Sequence, residues 1–311
     1  MQALLNAIQT MALPSDAGRI FHGRGGRFPG CEHWALDAFP PVFLLTSFQA
    51  VTTPELDAVH AALATRWQDL APAQPLNLVY QLRDEGRSET RLLAGSVPEP
   101  HAVTEQDSRY QVHVLKGQNH GLFLDMACGR RWVLEHVQAH PGASVLNLFA
   151  YTCAFSVVAL QAGAGSVVNV DMSSGALNIG RQNHQLNGLA DQVKAKRASF
   201  LAHDIFNSWG KITRGGPYDL VILDPPSFQK GSFVATKDYA RLLRRLPDLL
   251  APGGHAVLCL NTPKLGLAFL QDQMQELAAP LQFVQRVANP AAFADSDEDR
   301  SLKVLIYKAA D

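Results

Sequence analysis

The chain has 311 residues, of which 47% are hydrophobic and 18% charged, and its net charge is −1. This length and balance exclude a disordered or fibrous chain and leave room for more than one domain with a large buried core. No apolar run reaches the roughly 18 residues that a membrane helix needs, and no basic segment precedes the first apolar residues. We therefore expect a cytoplasmic protein without a membrane partner.

The cysteines and the charge distribution narrow the possible partners. The four cysteines show no CxxC spacing, so neither a zinc site nor a disulfide framework is indicated, and no metal is expected. Residues 1–115 contain 8 Arg, no Lys and 12 acids, whereas residues 116–311 contain 19 basic and 16 acidic residues. A nucleic-acid partner would therefore bind a local basic patch rather than a global field.

The first 33 residues form an extension with little pattern, apart from the segment HGRGGRFPG at residues 22–30. Arg24 and Arg27 stand there among four glycines, so the loop could present backbone N–H groups and guanidinium groups to a phosphate. A glycine-rich surface turn is an equally good interpretation.

Residues 34–116 predict a small α+β accessory domain. WALDAF and VFLLTSF predict two strands, separated by consecutive prolines. Thr53 is expected to cap a helix with Pro54 in its first turn, because apolar residues then recur at helical spacing. Further strands are predicted from Leu76, Thr90 and Tyr110.

Residues 117–311 alternate strands and helices, which is typical of an open parallel sheet. Residues 144–171 predict two buried strands around one helix, ending in Asp171, and the binding crevice of such a unit lies beyond the strand carboxyl ends. A later strand must stop at Asp224 because two prolines follow it. A helix is expected over residues 236–250, and FVQRVA and SLKVLIY are expected to form an antiparallel pair.

Five segments, NLFAYTCAFS, VVNVD, HDIF, DPPSF and the strand after PGG, resemble class I S-adenosylmethionine (SAM) dependent methyltransferases in order and spacing. More narrowly, residues 34–311 resemble the bacterial 23S ribosomal RNA methyltransferases with a DPPxF motif, of the cytosine-C5 and 7-methylguanine types. GQNHGLFLD resembles the GxxTGxFLD segment that begins their catalytic domain. The resemblance implies a doubly wound, mostly parallel, Rossmann-like α/β sheet behind a small α+β domain, with SAM as cofactor and rRNA as substrate.

The resemblance also implies which residues hold the cofactor. Asp171 would accept both ribose hydroxyls, and Asp204 would accept from the adenine amino group, although a helix N-cap is an alternative role for Asp204. The expected cofactor-binding residues are Phe149, Ala150, Tyr151, Thr152, Asp171, Met172, Asp204, Ile205 and Asp224. Two residues depart from the family: Cys153 replaces a glycine and Asn147 replaces an acid. A side chain at the glycine position is expected to restrict positive φ and weaken cofactor binding.

DPPSF is expected to carry the catalytic chemistry. Asp224 and the carbonyl of Pro225 would accept hydrogen bonds from a base, and Phe228 would stack on it. In the cytosine-C5 relatives a nucleophilic cysteine stands where this chain has Asn261, while Cys259 lies about 6 to 7 Å further back along the strand. A covalent mechanism is therefore disfavoured. The 7-methylguanine relatives have FSNNK at this place, which Asn261 and Lys264 partly resemble, and this resemblance implies a base nitrogen of guanine as the acceptor.

Five basic residues follow DPPSF, and they would either contact RNA phosphates or form an ordinary solvated face: Lys230, Lys237, Arg241, Arg244 and Arg245. Two other functions remain open at this point. The near-neutral charge favours a methyltransferase for a small molecule or a protein. Cys153 in the cofactor loop favours a non-catalytic RNA-binding protein on a degenerate methyltransferase fold.

Overall fold

The computed structural model describes residues 1–84, 87–229 and 233–311, without the side chain of Arg87. The chain divides into two compact units. The N-terminal unit comprises Met1–Leu124 and Pro290–Asp297, and the C-terminal unit comprises Asp125–Asn289 and Glu298–Asp311. The boundaries expected from the sequence, after residues 33 and 116, stay predictions.

The N-terminal unit is built on a five-stranded sheet of order β1-β2-β3-β4-β5, with β6 and β7 forming a separate hairpin. All neighbours in the larger sheet are antiparallel except β3 and β4, which are joined through a helix. Short 3-10 turns lie at Gly23–Gly25 and Ala291–Phe293. The elements are α1 (Gln2–Thr10), β1 (Gly18–His22), β2 (Trp34–Phe39), β3 (Val42–Ser47), α2 (Thr53–Leu70), β4 (Asn77–Asp84), β5 (Arg87–Ala94), β6 (His101–Glu105) and β7 (Ser108–Val112).

Helix α2 covers one face of this sheet because its apolar residues recur along one side, where Leu56, Val59, Leu63 and Trp67 are buried. The predicted cap at Thr53 is wrong by one residue. Thr52 caps the helix, because Glu55 then stands at the third helical position and its side chain accepts from the Thr52 backbone N–H.

Helix α1 and strand β1 fall in the segment that showed little pattern in the sequence. Leu4 and Ile8, one helical turn apart, are fully buried and join the core of the N-terminal unit. Strand β6 was also not predicted. It pairs with β7, which carries the predicted strand that starts near Tyr110.

The C-terminal unit is a seven-stranded sheet of order β10-β9-β8-β11-β14-β16-β15. The first five strands are parallel, and β16 and β15 close the sheet as the predicted antiparallel pair. The elements are α3 (Ala127–Ala139), β8 (Ser144–Leu148), α4 (Ala154–Gln161), β9 (Ser166–Asp171), α5 (Ser174–Leu186), α6 (Ala190–Lys194), β10 (Ala198–Ala202), α7 (Trp209–Thr213), β11 (Tyr218–Leu223), β12 (Phe228–Gln229), β13 (Phe233–Val234), α8 (Ala235–Leu243), α9 (Leu246–Leu249), β14 (Leu250–Leu260), α10 (Leu267–Leu277), β15 (Gln282–Val287) and β16 (Lys303–Lys308).

This architecture confirms the predicted doubly wound, mostly parallel α/β fold and places the carboxyl ends of β8, β9 and β11 at one edge. One predicted helix, residues 236–250, is instead broken into α8 and α9. Pro247 explains the break. A proline has no N–H to donate to the preceding turn, so α8 cannot continue through it, whereas the first turn of a new helix needs no such bond. Within the described residues, no helix is long and apolar enough to cross a membrane.

Candidate active site

The loop between β8 and α4 has an unusual backbone. Phe149, Tyr151 and Cys153 all have left-handed φ values, 59°, 47° and 60° respectively. Non-glycine residues in that region each cost on the order of 1 kcal/mol, so the surrounding structure must hold them there. The Thr152 carbonyl accepts from Asn183 on α5 at 2.9 Å, and the Ala150 N–H donates to Val170 on β9 at 3.0 Å.

Asp171 fixes this loop at the end of β9. One carboxylate oxygen accepts from the Tyr151 N–H at 2.8 Å, and the other accepts from the Ser173 N–H at 2.8 Å. A carboxylate offers about four acceptor positions, so both oxygens keep capacity for further donors. Asp171 is half-buried, and Met172 beside it is exposed.

Cys153 packs against helix α5. Its side chain is fully buried beside Gly180 of α5, where an added Cβ on Gly180 would lie 2.5 Å from the Cys153 sulfur. Burial, followed by the charge of Asp171, raises the pKa of the Cys153 thiol well above its usual range. The Cys153 side chain therefore packs against Gly180 of α5, and its buried thiol is unreactive.

A chain of buried polar side chains supports the same frame. Asn147 donates to Asn169 at 2.9 Å, Asn169 donates to Ser156 at 3.0 Å, and Ser156 lies 2.9 Å from His184. The other ring nitrogen of His184 lies 2.7 Å from the Gly180 carbonyl. Asn147, the penultimate residue of β8, is thus a buried link between strands, and its amide oxygen has no partner among the described residues.

Asp204 follows β10 and caps the short 3-10 turn Ile205–Asn207. Its carboxylate accepts from the Phe206 N–H at 2.8 Å and from the Asn207 side chain at 2.7 Å. Ile205 is buried, and the guanidinium of Arg241 lies over the Phe206 ring at 3.8 Å. The N-cap role is therefore present, and contact of Asp204 with adenine stays a prediction.

Asp224 follows β11 at the centre of the sheet edge. Loss of hydration raises the pKa of its carboxyl to about 7, the carboxylate of Asp125 adds to the effect, and Arg130 opposes it. Pro225 is buried directly after it, whereas Phe228 exposes 68% of its side chain. DPPSF thus combines a carboxyl that titrates near neutrality with an open aromatic ring.

Asn261, at the end of β14, is brought to this point through two contacts. Its side-chain amide donates to the Asp125 carboxylate at 3.0 Å, and its backbone carbonyl accepts from the Ser227 hydroxyl. Asp125 and Arg130 received no role from the sequence. The only sequence signal for Asp125 is the FLD segment that it ends. Arg130 is a buried charge on α3 that acts electrostatically on Asp224, and because Asp224 lies far along the chain, no local pattern marks Arg130.

Cys259 is fully buried two residues before Asn261. Burial and the carboxylates of Asp224 and Asp125 raise the pKa of its thiol well above the usual range.

Of the five predicted basic residues after DPPSF, Arg241 pairs with Asp238 at 2.9 Å, and Arg245 lies 3.4 Å from Asp248. Lys237 and Arg244 are exposed, and Lys230 lies outside the described residues.

Comparisons with known proteins find similar sequences and similar folds. A family model described as S-adenosylmethionine-dependent methyltransferase matches residues 18–308. Ribosomal RNA large subunit methyltransferase K/L of Psychrobacter sp. is 37% identical over 61% of this chain and 24% of its own length. Ribosomal RNA large subunit methyltransferase I of Aeromonas hydrophila is 31% identical over 72% of this chain and 56% of its own length.

The chain thus spans about a quarter of the first relative and just over half of the second. Among solved structures, SMU.776 crystallised with SAH superposes with a TM-score of 0.81 at 23% identity, over 99% of this chain and 81% of that one. That likeness shows the shared fold, and the family match covers nearly the whole sequence. The chain belongs to the S-adenosylmethionine-dependent methyltransferase family.

Proposed function

We propose that this protein transfers a methyl group from SAM to a ring nitrogen of guanine in large-subunit ribosomal RNA. The observation that carries the proposal is the set of groups at the end of β11. Burial and the charge of Asp125 raise the pKa of the Asp224 carboxyl to about 7, and the exposed ring of Phe228 follows four residues later. A base needs those two features, a hydrogen-bond acceptor and a stacking surface.

The residues around Asp171 fit SAM. The carboxylate retains acceptor positions for two hydroxyl groups, and the loop from Phe149 to Thr152 follows β8 directly with left-handed backbone at Phe149 and Tyr151. Asp171 and Met172 would hold the nucleoside, and the loop would hold the methionine part. SAM supplies the methyl group on a sulfonium centre. The chain supplies orientation, which is the main requirement of an in-line displacement.

Asp224 and Asn261 would set the position of the base. In its ionised form Asp224 accepts from the N–H groups of guanine, together with the Pro225 carbonyl, while Phe228 stacks on the ring. Asp125 fixes the Asn261 amide at 3.0 Å, so a base meets an ordered polar edge. Guanine N7 already carries a lone pair, so methylation there requires positioning and no general base.

A covalent route through C6 of cytosine is disfavoured. It needs a thiolate, yet Cys259 is fully buried and its thiol pKa is raised by burial, and Asn261 occupies the strand end. The two rRNA methyltransferase relatives and the DPPSF segment support rRNA as the substrate.

The proposal is tested by incubating the purified chain with methyl-labelled SAM, 23S rRNA and, separately, a protein and small-molecule extract. Nucleoside mass spectrometry of the digested RNA is expected to show one methylated guanine, absent with Asp224→Ala. Label found only in the protein or small-molecule fraction would contradict the proposal in favour of another methyltransferase class. Absence of SAM binding would contradict catalysis altogether.

A further inference from the structure

The N-terminal unit contains a cavity of about 390 Å³ that the methyl-transfer chemistry does not use. It lies between α1, β1, the loop after β1 and the turn Ala291–Phe293. Its volume falls in the range of small-ligand sites in proteins. The residues that matter to the argument are Ala7, Ile20, Arg27 and Phe28.

One wall of the cavity is an aromatic surface. Phe28 exposes 39% of its side chain, and the buried Phe21 supports it from behind, with ring centroids 5.0 Å apart. Ile20 and Ala7 continue the apolar wall. An exposed ring on a rigid support is the feature that proteins use to stack an unpaired base.

The cavity also has a free cation. Within the described part of the chain, the Arg27 guanidinium has neither a hydrogen-bond nor an ion-pair partner. Arg19, by contrast, is bound to Asp37 at 2.7 and 2.9 Å and lies over Phe293. Burial and Arg19 lower the pKa of His22 to about 4, so that side chain is neutral. Arg27 is therefore the group on this wall that can bind an anion.

The loop that carries Arg27 and Phe28 is held in place by its glycines. An added Cβ on Gly25 would lie 2.5 Å from the Ala294 carbonyl, and the Gly25 carbonyl accepts from the Ser296 N–H at 2.7 Å. Gly26 has φ +69°, a conformation that suits glycine. Asp295 follows Ala294 at the contact with Gly25, and its negative charge acts to raise the pKa of His22, against the larger effect of burial. Close backbone packing thus fixes the position of both ligand-facing side chains.

We propose that this cavity holds one unpaired nucleotide of the RNA substrate, with its base stacked on Phe28 and its phosphate on Arg27. The inference rests on RNA methylation as the proposed function. The combination of an aromatic wall, an apolar pocket and a single unpartnered guanidinium matches a nucleotide in a single-stranded segment, where the base is free to leave the stack.

The test uses the full chain and a fluorescein-labelled, mixed-sequence single-stranded RNA of about ten nucleotides. Phe28→Leu removes the ring but keeps an apolar side chain, and it is expected to weaken binding about tenfold. Phe28→Trp keeps a ring and is expected to bind like the native chain. Arg27→Gln is expected to weaken binding and to reduce the slope of log affinity against log salt by about 0.7.

Arg91→Gln is the matched control, because Arg91 belongs to the same unit, is half-exposed and pairs with Glu89. Equal binding by the native chain, Phe28→Leu and Arg27→Gln would overturn the nucleotide site. If the native chain still methylates 23S rRNA in that case, the proposed function stands without it. If the native chain neither binds the RNA nor methylates rRNA, the proposed function fails, and the nucleotide site fails with it.

Discussion

Asp171 and Asp224 end two strands that flank β8, yet the structure uses the two carboxyl groups differently. Asp171 binds two backbone N–H groups at 2.8 Å and fixes a loop of left-handed residues. Asp224 has a pKa raised to about 7 by burial and by Asp125. Both acids reach the crevice because each stands at the end of a strand. Their surroundings differ, so Asp171 holds the loop by hydrogen bonds, whereas Asp224 has a carboxyl that titrates near pH 7.

Replacement of Asp224 should have the largest effect. Asp224→Ala removes the acceptor for the base and is expected to lower kcat/KM for rRNA by a factor on the order of 10³, because a buried polar base edge then has no partner. Steady-state methylation of rRNA measures this change. Asp191→Ala, an exposed carboxylate paired with Lys194, is the control. A loss below about tenfold would remove Asp224 from base recognition.

Asp171→Ala should act on the other end of the crevice. The substitution leaves the Tyr151 and Ser173 N–H groups and the ribose hydroxyls without their acceptor, so SAM affinity is expected to fall about 100-fold. Isothermal titration calorimetry with SAM and with S-adenosylhomocysteine measures it. Normal SAM binding by Asp171→Ala, or an equally severe loss of SAM binding by Asp224→Ala, would contradict the separate roles of the two acids.

The pH profile sharpens the contrast. The ionised form of Asp224 is the hydrogen-bond acceptor, and it becomes the majority form only above its pKa of about 7. We therefore expect kcat/KM to rise about tenfold per unit as pH approaches 7 from below, then to level off. Asp224→Asn has no such group and should lose this inflection. A native profile that is flat from pH 5.5 to 8 would argue against an ionised acceptor.

The ionised carboxyl of Asp224 is also expected to lower the free energy of unfolding. Its folded pKa is raised above the unfolded value of 3.8, so ionisation opposes folding increasingly as pH rises from about 4 to 7, and the cost is constant above that. Asp224→Asn is accordingly expected to raise Tm at pH 8 and to raise it less at pH 5. Calorimetry at the two pH values measures this, and a Tm lowered at pH 8 would contradict the buried-carboxyl account.

The smallest expected effect concerns the loop itself. Gly180→Ala forces a methyl group toward the Cys153 sulfur and should lower the free energy of unfolding by about 1 to 3 kcal/mol. The double variant Cys153→Gly with Gly180→Ala should recover part of that loss, because the sulfur is gone. Chemical denaturation of both single variants and the double variant measures the coupling. Additive effects would show that Cys153 and Gly180 do not share this space.

Most of the parallel sheet was predictable because its strands contain short apolar runs, and two of them, β9 and β11, end at or directly before an acid. The predicted sites at Asp171 and Asp224 followed from such endings. Helix α1 was missed because only Leu4 and Ile8 mark its buried face. The break between α8 and α9 was missed because buried apolar residues recur at Leu243, Leu246 and Leu249, on both sides of Pro247.

Contacts between distant residues could not be predicted from local pattern. Asn261 and Asp125 lie 136 positions apart and meet only when β14 and the start of α3 are packed in the same unit. The place of Cys153 was equally hidden. Its departure from glycine suggested a weakened cofactor loop, but the residue that accommodates it, Gly180, belongs to another helix.

The most direct test is nucleoside mass mapping of 23S rRNA from a strain that lacks this gene, complemented with the native chain or with Asp224→Ala. One methylated guanine is expected to disappear in the deletion strain, to return with the native chain and to stay absent with Asp224→Ala. An unchanged modification map, or full restoration by Asp224→Ala, would contradict the assignment of this crevice to guanine methylation in rRNA.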